Sequence, residues 1–255
     1  MADIVLLVFE GEKTEPQILE NLRKHFFKEE KNTVIHATFN THIYTLWDEV
    51  RNDEYLDLLE IIRERNERNR TELANIKRDD VSQIFLFFDY DGHVKEASDE
   101  AIKEMLAHFN DETENGKLYI SYPMVEALKH LEKDADFKDA VVDAKDKIVC
   151  QERQANYKQL VSNLTIYQNL TVLSKNHWHH IILENTKKAN FIVNEIWDKP
   201  EYDEVITVLN QTNIFNHQLQ KYIDSHKKVA VLSPFPLFII EYFGELVLIE
   251  LTENI

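Results

Sequence analysis

Three acidic residues stand where acid chemistry is most easily built. Glu10 follows the apolar run Ile4 to Phe9 (IVLLVF), and Asp89 and Asp91 follow Ile84 to Phe88 (IFLFF). A hard divalent cation such as Mg²⁺ takes oxygen ligands, commonly one or two carboxylates, with water and substrate oxygens completing the shell. Carboxylates from different strand ends can meet that need without a dedicated loop. Asp89 and Asp91 are separated by one residue, so an extended chain would lean both side chains to the same side. Gly92 would then permit a sharp turn away. Glu10 would be a third ligand, or a base toward an attacking water.

The elements needed to position these residues are legible. Ile4 to Phe9 is a short, continuous apolar run with β-branched residues, as expected of a strand buried on both faces. A helix should follow, with Thr14 as N-cap, Pro16 in the first turn and Gln17 completing a Thr-x-x-Gln capping box. Ile18, Leu22 and Phe26 recur at helical spacing. Thr33 to Phe39 reads as a second strand, and Ile43 to about Ala74 as mainly helical. After Ile84 to Phe88 a helix is expected from about Ala97 to His108. A short strand should then cover Leu118 to Ile120, with a further helix opening at Tyr122-Pro123. Such β-α alternation argues for an open α/β sheet, whose ligands sit outside the carboxyl ends of the strands. From about Leu131 the pattern is mainly helical: Tyr157 to Leu164, His177 to Trp197 and Val205 to Ile223. Val229 to Leu232 is a candidate strand, and Phe235 to Phe243 is apolar and aromatic. The expected division is residues 1–133 and 134–255.

Composition bounds the partners. The chain has 255 residues and a net charge of -17, which disfavours a stand-alone, non-specific nucleic-acid binder, because phosphate contacts need Lys and Arg. It does not exclude a metal-dependent nuclease, since a local face and a held cation decide binding. The single cysteine, Cys150, cannot build a disulfide framework or a cysteine-rich zinc ribbon. No apolar run approaches the about 18 residues of a bilayer span, and the N-terminus lacks a signal-peptide pattern. The expectation is a soluble, cytoplasmic protein without a membrane partner.

The order Phe9-Glu10-Gly11-Glu12-Lys13-Thr14-Glu15 and then Phe88-Asp89-Tyr90-Asp91 resembles the Toprim domain, within it the solitary RloB-like and OLD-like nucleases of bacterial defence. Ser121-Tyr122-Pro123-Met124-Val125-Glu126 is similar to a further element of that group. The resemblance covers roughly the first half of the chain. It implies a mainly parallel four-stranded sheet with flanking helices, followed here by a mainly helical C-terminal region. It assigns Asp89 and Asp91 to Mg²⁺ (or Mn²⁺), and Glu10 to the same metal or to the role of general base. Glu126 is a further acidic ligand, or a carboxylate favoured by a helix N-terminus alone. Lys13 is a phosphate contact, or a solvated turn lysine. The implied activity is a nuclease acting on DNA or RNA, tRNA included, as an effector of anti-phage defence. Its implied partner is an ABC-type or other P-loop ATPase; a homo-oligomer is left open. The chain has no Gly-x-x-x-x-Gly-Lys-Ser/Thr sequence of its own.

Two rival readings remain. Asp-x-Asp-Gly after an apolar strand also resembles haloacid-dehalogenase-like phosphatases, in which the first Asp attacks phosphorus. That motif normally sits on the first strand, and Glu10 would go unexplained. The other rival is a catalytically inert regulatory subunit of a defence complex. His177, His179 and His180 flank Trp178, and His177 and His180 would share a helix face. Arg63 to Arg78 is a candidate basic arm, although interleaved Glu64, Glu67 and Glu72 favour a salt-bridged helix.

Overall fold

The computed structural model describes residues 4–27, 33–52, 57–131, 137–144, 157–164 and 167–253. Cys150 and the boundary expected near Lys133 lie outside the described residues. The chain divides into two compact units: Met1–Asp89 with Glu96–Tyr119, and Tyr90–Lys95 with Ile120–Ile255.

The first unit is built on the apolar runs. β1 (Ile4–Phe9) pairs in parallel with β2 (Thr33–Thr38) on one side and with β3 (Val81–Asp89) on the other. Val5 to Phe9 and Ile84 to Phe88 are all buried, as continuous apolar strands covered on both faces must be. The sheet is mostly parallel and has five strands in the order β2-β1-β3-β5-β4, where β4 is Asn110–Asp111 and β5 is Gly116–Ser121. The expected four strands therefore gain a short neighbour, β4, antiparallel to β5. Two residues carry no periodic signal, so this strand was not legible.

α1 (Thr14–His25) buries Ile18 and Leu22 as its spacing requires. Its N-cap is Lys13, with no side-chain capping bond, so the Thr14/Gln17 capping box does not form. The helical stretch after β2 breaks into α2 (Ile43–Asn52), α3 (Leu58–Glu64) and α4 (Glu67–Glu72). Asp57 and Asn66 cap α3 and α4 through their side chains, which stops one helix and starts the next. α5 (Asp99–His108) is capped by Ser98.

The second unit is mainly helical. It comprises α6 (Tyr157–Leu164), α7 (Lys175–Asn194), α8 (Tyr202–Thr207), α9 (Gln211–Gln218), α10 (Asp224–His226), α11 (Phe235–Phe243) and α12 (Leu246–Glu253). A π-helical turn, Leu219–Ile223, joins α9 to α10. β6 (Val141–Asp143) pairs antiparallel with β7 (Lys228–Ala230). The segment opening at Tyr122-Pro123 is a 3-10 helix, Val125–Lys129, where an α-helix was expected. Buried amides hold this unit together. Gln218 both donates to Ala230 O (2.7 Å) and accepts from Ala230 N (2.9 Å), and Asn185 Oδ1 accepts from Ser233 N at 2.9 Å. The Lys188 ammonium, fully buried, donates to the carbonyls of Phe137, Lys138 and Ala140 at 3.0, 2.6 and 3.0 Å. Such pairing is what makes buried polar groups tolerable.

Candidate active site

Glu10 is fixed from three directions. Its N–H donates to Phe87 O on β3 (3.1 Å), and its carbonyl accepts from Asn40 N just past β2 (2.9 Å). Its side chain then reaches to the end of β3, where Oε2 accepts from Asp89 N at 3.0 Å. Glu10 and Asp89 thus stand at the carboxyl ends of adjacent central strands. The chain runs from β1 to β2 on one side and returns to β3 on the other, so they flank the point where strand order reverses. That switch point is where open α/β sheets bind ligands.

The turn carrying Glu10 has a closing device that the sequence reading missed. Glu15, 5% exposed, turns its carboxylate back so that Oε1 accepts from Gly11 N at 3.0 Å. A Cβ on Gly11 would lie 3.0 Å from Glu15 Oε2 and 3.2 Å from Oε1. Gly11 does not have a positive φ, so what favours glycine there is the close approach of Glu15 alone. Glu12 Oε1 accepts from Asn40 Nδ2 at 2.6 Å, and Asn40 takes a left-handed φ of 64°. The only signal for Glu15 was its place in the first turn of the helix, where a carboxylate faces backward. Lys13 is exposed at the start of α1.

Asp91 belongs to the second unit. The strand ends at Asp89, and Asp91 itself adopts φ 45°, a left-handed conformation that Asp tolerates better than most residues. The extended Asp-x-Asp expected from the spacing is therefore replaced by a turn at its second member. Gly92 serves close packing: a Cβ there would meet Ala144 O and Tyr90 Cε1, each at 2.5 Å. His93 Nδ1 lies 3.7 Å from Asp91 Oδ1.

Glu126, also in the second unit, is 7% exposed. Its Oε1 is 3.4 Å from Lys158 Nζ, and its buried Oε2 has no hydrogen-bond partner among the described residues. Burial lowers the pKa of nearby Lys129, with Glu126 opposing and Lys158 adding to that shift. His130 accepts or donates at Nδ1 to Tyr157 OH (2.9 Å); burial and then the Lys188 charge hold its pKa down to about 4.

The histidine cluster is already engaged. Ser174 N donates to His177 Nδ1 (3.2 Å), which places any proton of the neutral ring on Nε2 and leaves no lone pair for a metal. Tyr167 OH lies 2.6 Å from His180 Nδ1, and the Tyr167 ring packs edge-on against His177. His179 Nε2 lies 3.7 Å from Glu250. The arginines of the 63–78 stretch are spent on the fold. Arg63 donates to Leu73 O, Arg65 to Phe39 O, and Arg78 to Val81 O. Arg68 pairs with Glu72 and Arg70 with Glu64. This is the salt-bridged alternative to a nucleic-acid arm.

Among the described residues, no group of three or more His, Cys, Asp or Glu side chains is placed to hold a metal ion. What the first unit places together is the Glu10 carboxylate and the Asp89 backbone, at the ends of adjacent strands. Glu10 and Asp89 both carry hard carboxylate oxygens, and two is a number from which Mg²⁺ builds sites with water and substrate; in type and number the pair fits. Among the described residues, no helix is long and apolar enough to cross a membrane. No protein-family model, no curated protein and no solved structure matches the chain.

Proposed function

We propose that this protein is a metal-dependent phosphodiester hydrolase, a nuclease of Toprim type acting on DNA or RNA. The observation that carries the reading is the Glu10 carboxylate resting on Asp89 N at 3.0 Å, at the switch point of a mostly parallel sheet. The Toprim resemblance rests on the same residues and adds Asp91, two positions beyond Asp89. Glu10, Asp89 and Asp91 would hold Mg²⁺ or Mn²⁺, which when bound lowers the pKa of a water and neutralises charge on phosphoryl oxygens.

The chain's own groups divide the remaining work. Asp89 N–H donates to the Glu10 carboxylate and orients it at the strand end. Glu10 takes the proton of the attacking water. Lys13, exposed at the start of α1, receives a substrate phosphate together with the positive end of the helix dipole. Glu126 is assigned to the reaction by the resemblance, and its buried Oε2, which has no hydrogen-bond partner among the described residues, supports a role beyond packing. A phosphatase of haloacid-dehalogenase type would leave the Glu10–Asp89 bond without a purpose. As the resemblance implies, the nuclease serves anti-phage defence with a P-loop ATPase partner. Metal-dependent cutting of nucleic acid by the wild type and not by Glu10→Gln tests the reading.

A further inference from the structure

The loop after β2 holds the turn that carries Glu10. The β1–β2 ladder runs one step past both strands: Phe39 N donates to Phe9 O at 2.8 Å, and Asn40 N to Glu10 O at 2.9 Å. Phe39 is itself clamped, because Arg65 Nε donates to its carbonyl at 2.9 Å and the guanidinium carbon lies 4.3 Å from its ring centroid. Asn40 then takes φ 64°, and with the backbone so turned its Nδ2 donates to Glu12 Oε1 at 2.6 Å. One residue therefore holds the turn on both sides of Gly11, by its backbone at Glu10 and by its amide at Glu12. Glu15 Oε1 takes the Gly11 N–H between them.

A positive φ costs energy at any residue but glycine, and residues held that way gather at functional sites. Asn tolerates the conformation better than most, yet glycine would tolerate it better still. What glycine lacks is the amide. Asn40 and Glu12 are both exposed, so their bond adds little to global stability. A short bond to a charged oxygen fixes direction instead. The direction matters because this turn aims the Glu10 carboxylate, whose Oε2 rests on Asp89 N at 3.0 Å.

We propose that Asn40 is a positioning residue, whose side-chain amide keeps the Glu10 carboxylate on the Asp89 N–H by holding Glu12. The effect on turnover rests on the nuclease reading; the effect on the Asp89 N–H does not.

Amide hydrogen exchange of the full-length protein is followed by NMR at Asp89. Ile84 N, bonded to Glu112 O at 2.8 Å earlier in β3, is the internal reference. Metal-dependent cutting is measured on the same proteins. Asn40→Gly suits the left-handed backbone and keeps the N–H to Glu10 O, so it removes the amide alone. Asn40→Asp keeps the size and the turn but sets a carboxylate against Glu12. Both should speed exchange at Asp89 about tenfold, leave Ile84 within about twofold, and lower kcat about tenfold with KM within about twofold. Glu12→Ala should match Asn40→Gly, and the two together should add nothing further. Glu12→Gln keeps an acceptor for Nδ2 and should leave Asp89 exchange within about twofold of the wild type. Unchanged Asp89 exchange in Asn40→Gly would overturn the proposal. Equal acceleration at Asp89 and Ile84 would overturn it too, by making Asn40 a residue of general stability. Faster Asp89 exchange with an unchanged kcat would separate the bond from turnover and overturn the positioning role. The expected exchange pattern in a wild type and variants that cut no nucleic acid would overturn the nuclease reading and leave the hold of Asn40 on Glu10 supported.

Discussion

Gly11→Ala should be destabilising because of Glu15, and removing Glu15 should erase that effect. The added Cβ would stand 3.0 and 3.2 Å from the two Glu15 carboxylate oxygens, closer than ordinary van der Waals contact. The backbone at Gly11 is not left-handed, so alanine meets no conformational penalty there. Relief requires the buried carboxylate to move, which weakens its 3.0 Å bond from Gly11 N. A hydrogen bond to a charged group is worth about 1.5–3 kcal/mol, and partial loss puts Gly11→Ala at about 1–2 kcal/mol. Glu15→Ala alone should cost about 2 kcal/mol, from the lost bond and the unpaired N–H. In the double variant the alanine methyl has nothing to displace, so its cost should match Glu15→Ala alone. The coupling is then about 1–2 kcal/mol, measured by urea unfolding of all four proteins in a double-mutant cycle. Additivity within about 0.5 kcal/mol would refute the reasoning, because it would mean that Gly11 and Glu15 do not share the contact.

Other perturbations have definite signs. Lys188→Met keeps much of the side chain's length but leaves the Phe137, Lys138 and Ala140 carbonyls without their shared donor. It should cost about 2–4 kcal/mol, and an unchanged urea midpoint would rule out the pairing. His130 is held neutral, its pKa lowered from 6.5 to about 4, so the folded state binds fewer protons than the unfolded one between those values. Its contribution is therefore intact above pH 6.5 and fades as pH falls toward 4, by about 2–3 kcal/mol in all. His130→Gln should flatten that part of the stability profile, and an unaltered slope would contradict the assignment. Glu10→Gln keeps an acceptor for Asp89 N, so folding should change by less than about 1 kcal/mol while nuclease activity falls at least about a hundredfold. Unfolding of this variant would mark Glu10 as structural.

The elements that a single sequence revealed are those whose signal is long or strongly apolar. Ile4–Phe9 and Val81–Asp89 are strands because nothing but two covered faces suits such runs. Lys175–Asn194 follows from helical periodicity in the same way, while Phe235–Phe243, legible only as apolar and aromatic, is a helix in the structure. What was illegible depends on partners distant in sequence. Lys228–Ala230 falls on the candidate strand Val229 to Leu232, whereas its partner, the three-residue strand Val141–Asp143, exists because it finds that strand across the sequence and was not anticipated. At the candidate site the positions of Glu10 and Asp89 were readable as strand ends, whereas their hydrogen bond was not. The turn chemistry was misassigned. Thr14 offered a capping pattern, but Glu15 closes the chain on Gly11, and Asp91 takes the left-handed turn expected of Gly92. Local propensity ranks candidates for such positions, and the surrounding packing selects among them.

The most direct test of the central claim is cleavage of plasmid DNA, single-stranded DNA and total tRNA by the purified protein, with Mg²⁺, with Mn²⁺ and with neither, comparing the wild type with Glu10→Gln. The account predicts cutting of at least one of these nucleic acids by the wild type only, and only with the divalent cation present. Cutting that survives Glu10→Gln, cutting that needs no cation, or no cutting under any of these conditions would contradict it.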